Sequence, residues 1–275
     1  MIRRIVTLFG RSLIFLILTV LTQVGGIVYL LSFIPDHYIN GHVLKSYKRW
    51  VVKLLIFSGL YLFCVFIAVP TLASLFGRVP LPIQGDVRPL NKLTWLLNRQ
   101  YVRPELKALL LETSAAMKTQ FPGISINYLD ANFPFINKFP LPPHLSHNDG
   151  RKVDIAFFYT NKQLEYRNGA PSPIGYGVYE APRSNEVNLP DVCAKKGYWQ
   201  YSLIQRFVSQ SSKEEYVFDA SKVAALVNIL CKSRVTQKVF IEPHLKIRLK
   251  LTSSKIRYHG CQAVRHDDHV HLQIN

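Results

Sequence analysis

Residues 265–275 read RHDDHVHLQIN, and the reading of this stretch decides the fold. Val270, Leu272 and Ile274 alternate with His269, His271 and Gln273, the period of two that marks a half-buried strand. Residues two apart on a strand share a face, about 6–7 Å apart. His269 and His271 are therefore expected to point the same way, away from the face that Val270 and Leu272 bury. Two imidazoles on one face raise the question of what they meet.

A second polar cluster answers it. The stretch LPPHLSHNDGRKVDIAFFY (141–159) holds His144 and His147 in a loop, followed by Asp154 between Val153 and Ile155 in an apolar strand. A carboxylate in such a strand must be paired or bound to a metal, because burying it alone is costly. His147, Asp154 and one histidine of the last strand would supply two nitrogens and one oxygen. Three protein ligands with an open fourth position is the composition of a catalytic zinc. The other same-face histidine is then left for acid–base work, to which an imidazole is suited near neutral pH.

Working outward, PELKALLLETSAAMKTQ (104–120) has Pro104 at a first helical position and breakers at Pro122 and Gly123, so it reads as a helix. ISINYLDANF (124–133) and KVDIAFFYT (152–160) read as strands. YWQYSLIQRFVSQ (198–210) carries a helical stripe at Leu203, Ile204 and Phe207. Asp219 is a candidate N-cap for a helix with Val223, Leu226, Val227 and Leu230 on one face. KVFIEPHLKIRLKL (238–251) reads as a strand, a proline break, and then a short helix or strand. The class expected is α+β, a mostly antiparallel sheet with flanking helices.

The first 78 residues differ in kind. Ser12–Phe33 lies in a stretch with no charge between Arg11 and Asp36, and Leu54–Gly77 in one with none between Lys53 and Arg78. Each is long enough to cross about 30 Å of hydrocarbon as a helix. The expected organisation is a membrane anchor over 1–78 with helices near 12–33 and 54–76, a Pro- and Gly-containing linker over 79–100, and the α+β domain over 101–275. Four cysteines, Cys64, Cys193, Cys231 and Cys261, fit no zinc-finger spacing, and the three outside the anchor allow at most one disulfide.

The net charge is +17, divided between an anchor with 8 Lys/Arg against 1 acid and a remainder with 26 against 16. A domain this basic favours polyanions or anionic surfaces. The basic residues are scattered and no nucleic-acid motif is present, so nucleic acid is not the expected partner; envelope polymers and the lipid bilayer are. Short-flank charges count four on the inter-helix loop (Lys45, Lys48, Arg49, Lys53) and six on the termini side (Arg3, Arg4, Arg11, Arg78, Arg88, Lys92), a weak lean toward a cytoplasmic C-terminal domain, although large domains translocate largely regardless of charge.

The form S-H-x-x-G-x-x-x-D in SHNDGRKVD (146–154), together with H-x-x-H-x-H in HDDHVH (266–271), resembles the penicillin-insensitive murein endopeptidases. These fall within the wider group of lysostaphin-type and D-Ala-D-Ala metallopeptidases. YWQYSLIQRFV and TQKVFIEPHLK are softer matches, and the likeness runs patchily from Phe121 to Ile274. It implies one Zn2+ held by His147, Asp154 and His271, a catalytic His269, and supporting active-site histidines His144 and His266. It also implies that the chain hydrolyses amide bonds of peptidoglycan stems or cross-links, or related D-amino-acid peptides. Such a substrate places the domain outside a bacterial cytoplasmic membrane, as a two-pass protein with both termini out. Asp149 and Asp268 are candidates to orient a ligating imidazole; Arg151 and Lys152 are candidates to meet a substrate carboxylate; His244 and His259 match no motif. The competing expectations are an inactive sensor or binding protein on the same fold and a basic polyanion-binding protein.

Overall fold

The computed structural model describes residues 2–42 and 45–275. The chain opens with helix α1, Ile2–Thr22. It does not continue to residue 33 as expected. Gln23 takes φ 64°, the left-handed conformation that ends a helix, and a short helix, Gly25–Leu31, runs back alongside α1. The local sequence explains the turn. The Thr22 hydroxyl bonds back to the Leu18 carbonyl at 2.7 Å and accepts the Gly25 N–H at 2.8 Å. A Cβ on Gly26 would lie 2.0 Å from Thr19 Oγ1, so only glycine lets the two legs touch there. The Arg11 guanidinium lies 4.7 Å from the centre of the Phe33 ring, which fixes the return as antiparallel.

After a further short helix, Asp36–His42, helix α2 starts at Ser46, earlier than expected, and runs to Phe63. It continues through a π-turn at Cys64–Ala68, a helical turn at Val69–Ala73 and a 3-10 turn at Ser74–Phe76. Pro70 has no N–H to donate and its ring crowds the preceding turn, and the wider π-turn just before it accommodates both effects. Lys53 pairs with Asp36 at 2.9 Å, holding the legs together. Two segments, Arg4–Thr22 and Ser46–Phe76, are long and apolar enough to cross a membrane. Both point their C-terminal ends at the domain: Asn98 Nδ2 donates to Thr22 O at 3.3 Å, and the Tyr61 hydroxyl to Leu96 O at 2.6 Å.

The domain is built on a six-stranded sheet. Its strands are β1 (Val87–Pro89), β2 (Ile126–Tyr128), β3 (Lys152–Ala156), β4 (Thr236–Phe240), β5 (Ile256–Arg257) and β6 (His269–Ile274), in the order β5-β4-β6-β3-β2-β1. The three inner pairings are antiparallel and the two edge pairings parallel, so the sheet is mixed. The parallel edges arise because the chain reaches β2 from β1 through helix α3 (Pro104–Gln120) and β5 from β4 through helix Pro243–Arg248; parallel neighbours need such crossovers. Residues 79–100 are not a free linker. They contribute β1, the pairing of Val79–Pro80 with Tyr101–Val102, and the buried Leu81 and Val87.

The core lies on one face of the sheet. Leu106, Leu110 and Met117 of α3 and Val223, Leu226 and Leu230 of helix α4 (Ala220–Lys232) pack with Val153, Ile155, Val270 and Leu272. Alternation along β3 and β6 then sends Asp154, His269 and His271 to the opposite face. The expected helix at 198–210 is instead two 3-10 turns, Trp199–Ser202 and Ile204–Phe207, and Phe207 is 80% exposed. That stripe had no sheet face to cover, since α3 and α4 already occupy the apolar one.

Candidate metal centre

In the antiparallel register of β3 and β6, His271 stands opposite Asp154 and His269 opposite Ala156. Directly opposed residues put their side chains on the same face within reach of each other, and His271 Nδ1 meets Asp154 Oδ1 at 2.9 Å. His147 enters from the loop before β3: its Nε2 lies 3.1 Å from His271 Nδ1 and 3.3 Å from Asp154 Oδ1. All three residues are buried.

These three atoms form a triangle with edges of 2.9, 3.1 and 3.3 Å. Tetrahedral zinc with bonds of roughly 2.0–2.1 Å separates its ligand atoms by about 3.3 Å. The donor set fits as well. His147 Nδ1 donates to the Ala131 carbonyl at 2.7 Å, which leaves Nε2 as a lone pair aimed into the triangle. Asp154 Oδ1 is an acceptor too, and a single proton on His271 Nδ1 serves only one of them. A cation at the centre satisfies all three. Burial lowers the His271 pKa to about 4, keeping the ring neutral and able to ligate.

His144 belongs to the same cluster. His144, His147 and Asp154 form a buried group whose ligand atoms lie within 4.8 Å of one another and could hold a metal ion. His144 approaches the other carboxylate oxygen, with Nδ1 3.2 Å from Asp154 Oδ2 and 3.4 Å from Asp130 Oδ2. The Tyr176 hydroxyl donates to Asp154 Oδ2 at 2.9 Å and accepts the Asp130 N–H at 3.1 Å. Asp130 is itself paired with Arg99 at 3.1 Å. Asp154 thus presents Oδ1 to His147 and His271, and has Oδ2 tied down by Tyr176. Although burial opposes its charge, His147, His269 and His144 around it hold the carboxyl well below the usual range.

His269 completes the site from β6. Its Nδ1 is hydrogen-bonded to Asp268, whose other oxygen accepts the Gly177 N–H at 2.6 Å. Its Nε2 has no hydrogen-bond partner among the described residues and lies 3.6 Å from Asp154 Oδ1. Burial disfavours its charge, yet Asp154 and Asp268 outweigh that and raise its pKa to about 9. His266 is buried beside it, ring centres 5.0 Å apart, with its backbone N–H on Glu242 Oε1 at 3.1 Å. Burial and the neighbouring His269 and His271 push its pKa well down.

The cluster opens into a cavity of about 600 Å³ whose walls include Gln200, Ile204, His259, Gln262 and Val264. Cys193 and Cys261 form a disulfide that ties the Leu189–Lys195 helix to the segment carrying this wall.

All six expected site residues are therefore brought together. Of the two candidate orienting carboxylates, Asp268 bonds His269, whereas Asp149 pairs with Lys152 at 2.6 Å and bonds no imidazole among the described residues. Lys152 is thereby engaged elsewhere than in the cavity, and Arg151 is exposed outside its walls. His244 is fully buried on the Glu180 carbonyl at 2.8 Å. The sequence reading missed Tyr176, Asp130 and His259. Asp130 carried the signal used for Asp154, a carboxylate inside the apolar run ISINYLDANF; Tyr176 and His259 carried none, since both arrive by tertiary folding. Neither the models of known protein families nor the curated proteins contain a match to this chain.

Proposed function

We propose that this protein is a membrane-anchored zinc metallopeptidase that hydrolyses amide bonds in cell-envelope peptides, with peptidoglycan stem or cross-link peptides as the substrate class. The observation that carries the reading is the triangle of His147 Nε2, Asp154 Oδ1 and His271 Nδ1, spaced as zinc ligands and buried at the foot of a cavity. His147, Asp154 and His271 would hold one Zn2+, which would supply Lewis acidity toward the scissile carbonyl and the attacking water. The chain's own groups do the rest. Asp268 holds the His269 ring through Nδ1 and leaves Nε2 facing the reacting centre, placed to give a proton to the leaving nitrogen. Tyr176 keeps Asp154 in one rotamer. The cavity walls position the peptide.

Two observations support an extracytoplasmic domain. The Cys193–Cys261 disulfide suits an oxidising compartment. The N-terminal halves of α1 and α2, remote from the domain, carry Arg3, Arg4, Arg11, Lys48, Arg49 and Lys53, with Lys45 just before α2, a concentration that favours the cytoplasmic face. The decisive experiment is digestion of purified murein by the full-length protein in detergent, with products identified by mass. New peptide termini that disappear on chelation are expected. Intact murein under conditions where the protein holds stoichiometric zinc would remove this substrate class.

A further inference from the structure

The loop that brings His144 and His147 to the site runs over residues 133–150 and contains no helix or strand. Inside it there are only turn bonds and one cross-link, Lys138 N–H to Asn148 O at 2.7 Å, and several further holds come from the membrane anchor. At the tip between the first two legs, Gln23 Oε1 accepts the N–H of Phe135 at 2.8 Å and faces that of Ile136 at 3.4 Å. Gln23 is buried, and its neighbour Val24 packs in one cluster with Val69, Ala73 and Tyr101. At the far end of the long helical run, Arg78 is 1% exposed, and its N–H bonds the Ala73 carbonyl at 3.1 Å. Its guanidinium donates to Phe133 O, to Asn137 Oδ1 at 2.6 Å and to Asn148 O at 3.4 Å. Phe76 packs its ring on Phe135 with centres 5.0 Å apart.

We infer that the anchor is a working part of the metal centre, with Gln23 and Arg78 as positioning residues for the loop that delivers His147. This rests on the zinc reading above. The physical reason is that a loop with few internal hydrogen bonds samples more conformations than a helix or strand, and each costs ligand pre-organisation. Within the loop, His147 is fixed by its bond to Ala131 O and by its own N–H on His144 O at 3.0 Å. Holding Phe133, Phe135 and Asn137 on one side and Asn148 on the other restrains both flanks of that ligand. The helices that meet the bilayer therefore continue, through two side chains, into the segment that carries a zinc ligand.

The test uses the full chain in detergent micelles and measures zinc affinity against a competing chelator, alongside the melting temperature of each variant. Gln23→Leu keeps the volume and removes the acceptor; Gln23→Glu keeps the acceptor. One net hydrogen bond corresponds to roughly a two- to tenfold change in an equilibrium constant. Zinc binding by Gln23→Leu is expected to weaken by about tenfold, and Gln23→Glu to stay within about threefold of wild type. Asn137→Ala, at an exposed position where folding is not at stake, is expected to weaken zinc binding several-fold from the Arg78 side. Wild-type affinity in both Gln23→Leu and Asn137→Ala overturns the inference, as does a Gln23→Glu protein as weak as Gln23→Leu. A wild-type chain that binds no zinc at all would instead overturn the reading on which the inference stands.

Discussion

His271 stands directly opposite Asp154 across the β6–β3 pairing, and their side chains meet at 2.9 Å. Register alone sets this contact. A slip of one residue would send His271 to the helix-covered face and Val270 into the cavity. The core residues Val270 and Leu272 oppose that slip, because it would expose them, so the hydrophobic pattern that folds β6 is also what aligns the site.

His269→Ala is expected to retain zinc and lose most activity, about 10²–10⁴-fold, since His269 lies outside the ligand triangle but faces it. Asp268→Asn should fall between this variant and wild type, having lost the charge that holds the ring. Zinc content and turnover on the same preparation check both. A metal-free His269→Ala protein would show that the ligand and proton-transfer roles are exchanged.

Tyr176→Phe removes the 2.9 Å hydrogen bond to Asp154 Oδ2 without opening much space. Groups that orient a metal ligand are typically worth about 10–100-fold in metal affinity. Chelator competition should show a weakening in that range. An unchanged zinc affinity would leave Tyr176 with a packing role against His144 and His269 alone.

Much of this was legible from sequence, because β6 announces itself by alternation and Asp154 by being a carboxylate among valines and isoleucines. The face shared by His269 and His271 followed from the same period. What was not legible depended on contacts between distant segments. The break at Gln23 lies inside an uncharged run, where hydropathy sees only continuity; the signal was the Thr-Gln-Val-Gly-Gly sequence, whose hydroxyl and glycines permit a tight return. Residues 79–100 looked like a linker because Pro and Gly are frequent there, yet an edge strand tolerates proline, and Pro89 sits in β1. The Cys193–Cys261 pairing joins residues 68 apart in sequence and had no local signature.

Under the proposed insertion of Arg4–Thr22 and Ser46–Phe76 into a bilayer, their geometry predicts an N-terminus and a C-terminus on opposite faces, not both outside as the sequence led us to expect. α1 runs toward the domain and the chain returns before α2 runs toward it again, so the start of α1 lies remote from the domain. A simple two-helix hairpin would place both termini together. Reporters fused at one end or the other of the full chain check this, with a cytoplasmic N-terminus and an external C-terminus expected. Both reporters active on one side would refute the return at Gln23.

Stability is expected to fall as pH rises toward neutrality through Glu242. Burial and the Asp267 carboxylate push its carboxyl up to about 7 from 4.5. The unfolded chain is ionised above about 4.5 while the folded protein keeps the proton, so the stabilising contribution is complete below 4.5 and lost as pH passes 7. A shift of this size corresponds to about 3 kcal/mol. Melting in detergent at pH 5 and pH 8 should show a smaller drop for Glu242→Gln than for wild type. Equal drops in the two proteins would exclude Glu242 as the source.

The central claim is tested most directly by the zinc content of the purified full-length chain and of its His147→Ala, Asp154→Ala and His271→Ala variants after dialysis. The account predicts about one zinc per wild-type chain and close to none in each variant, with the variants still folded as judged by circular dichroism. Wild-type protein without zinc, or a His271→Ala variant that keeps a full complement, would contradict it.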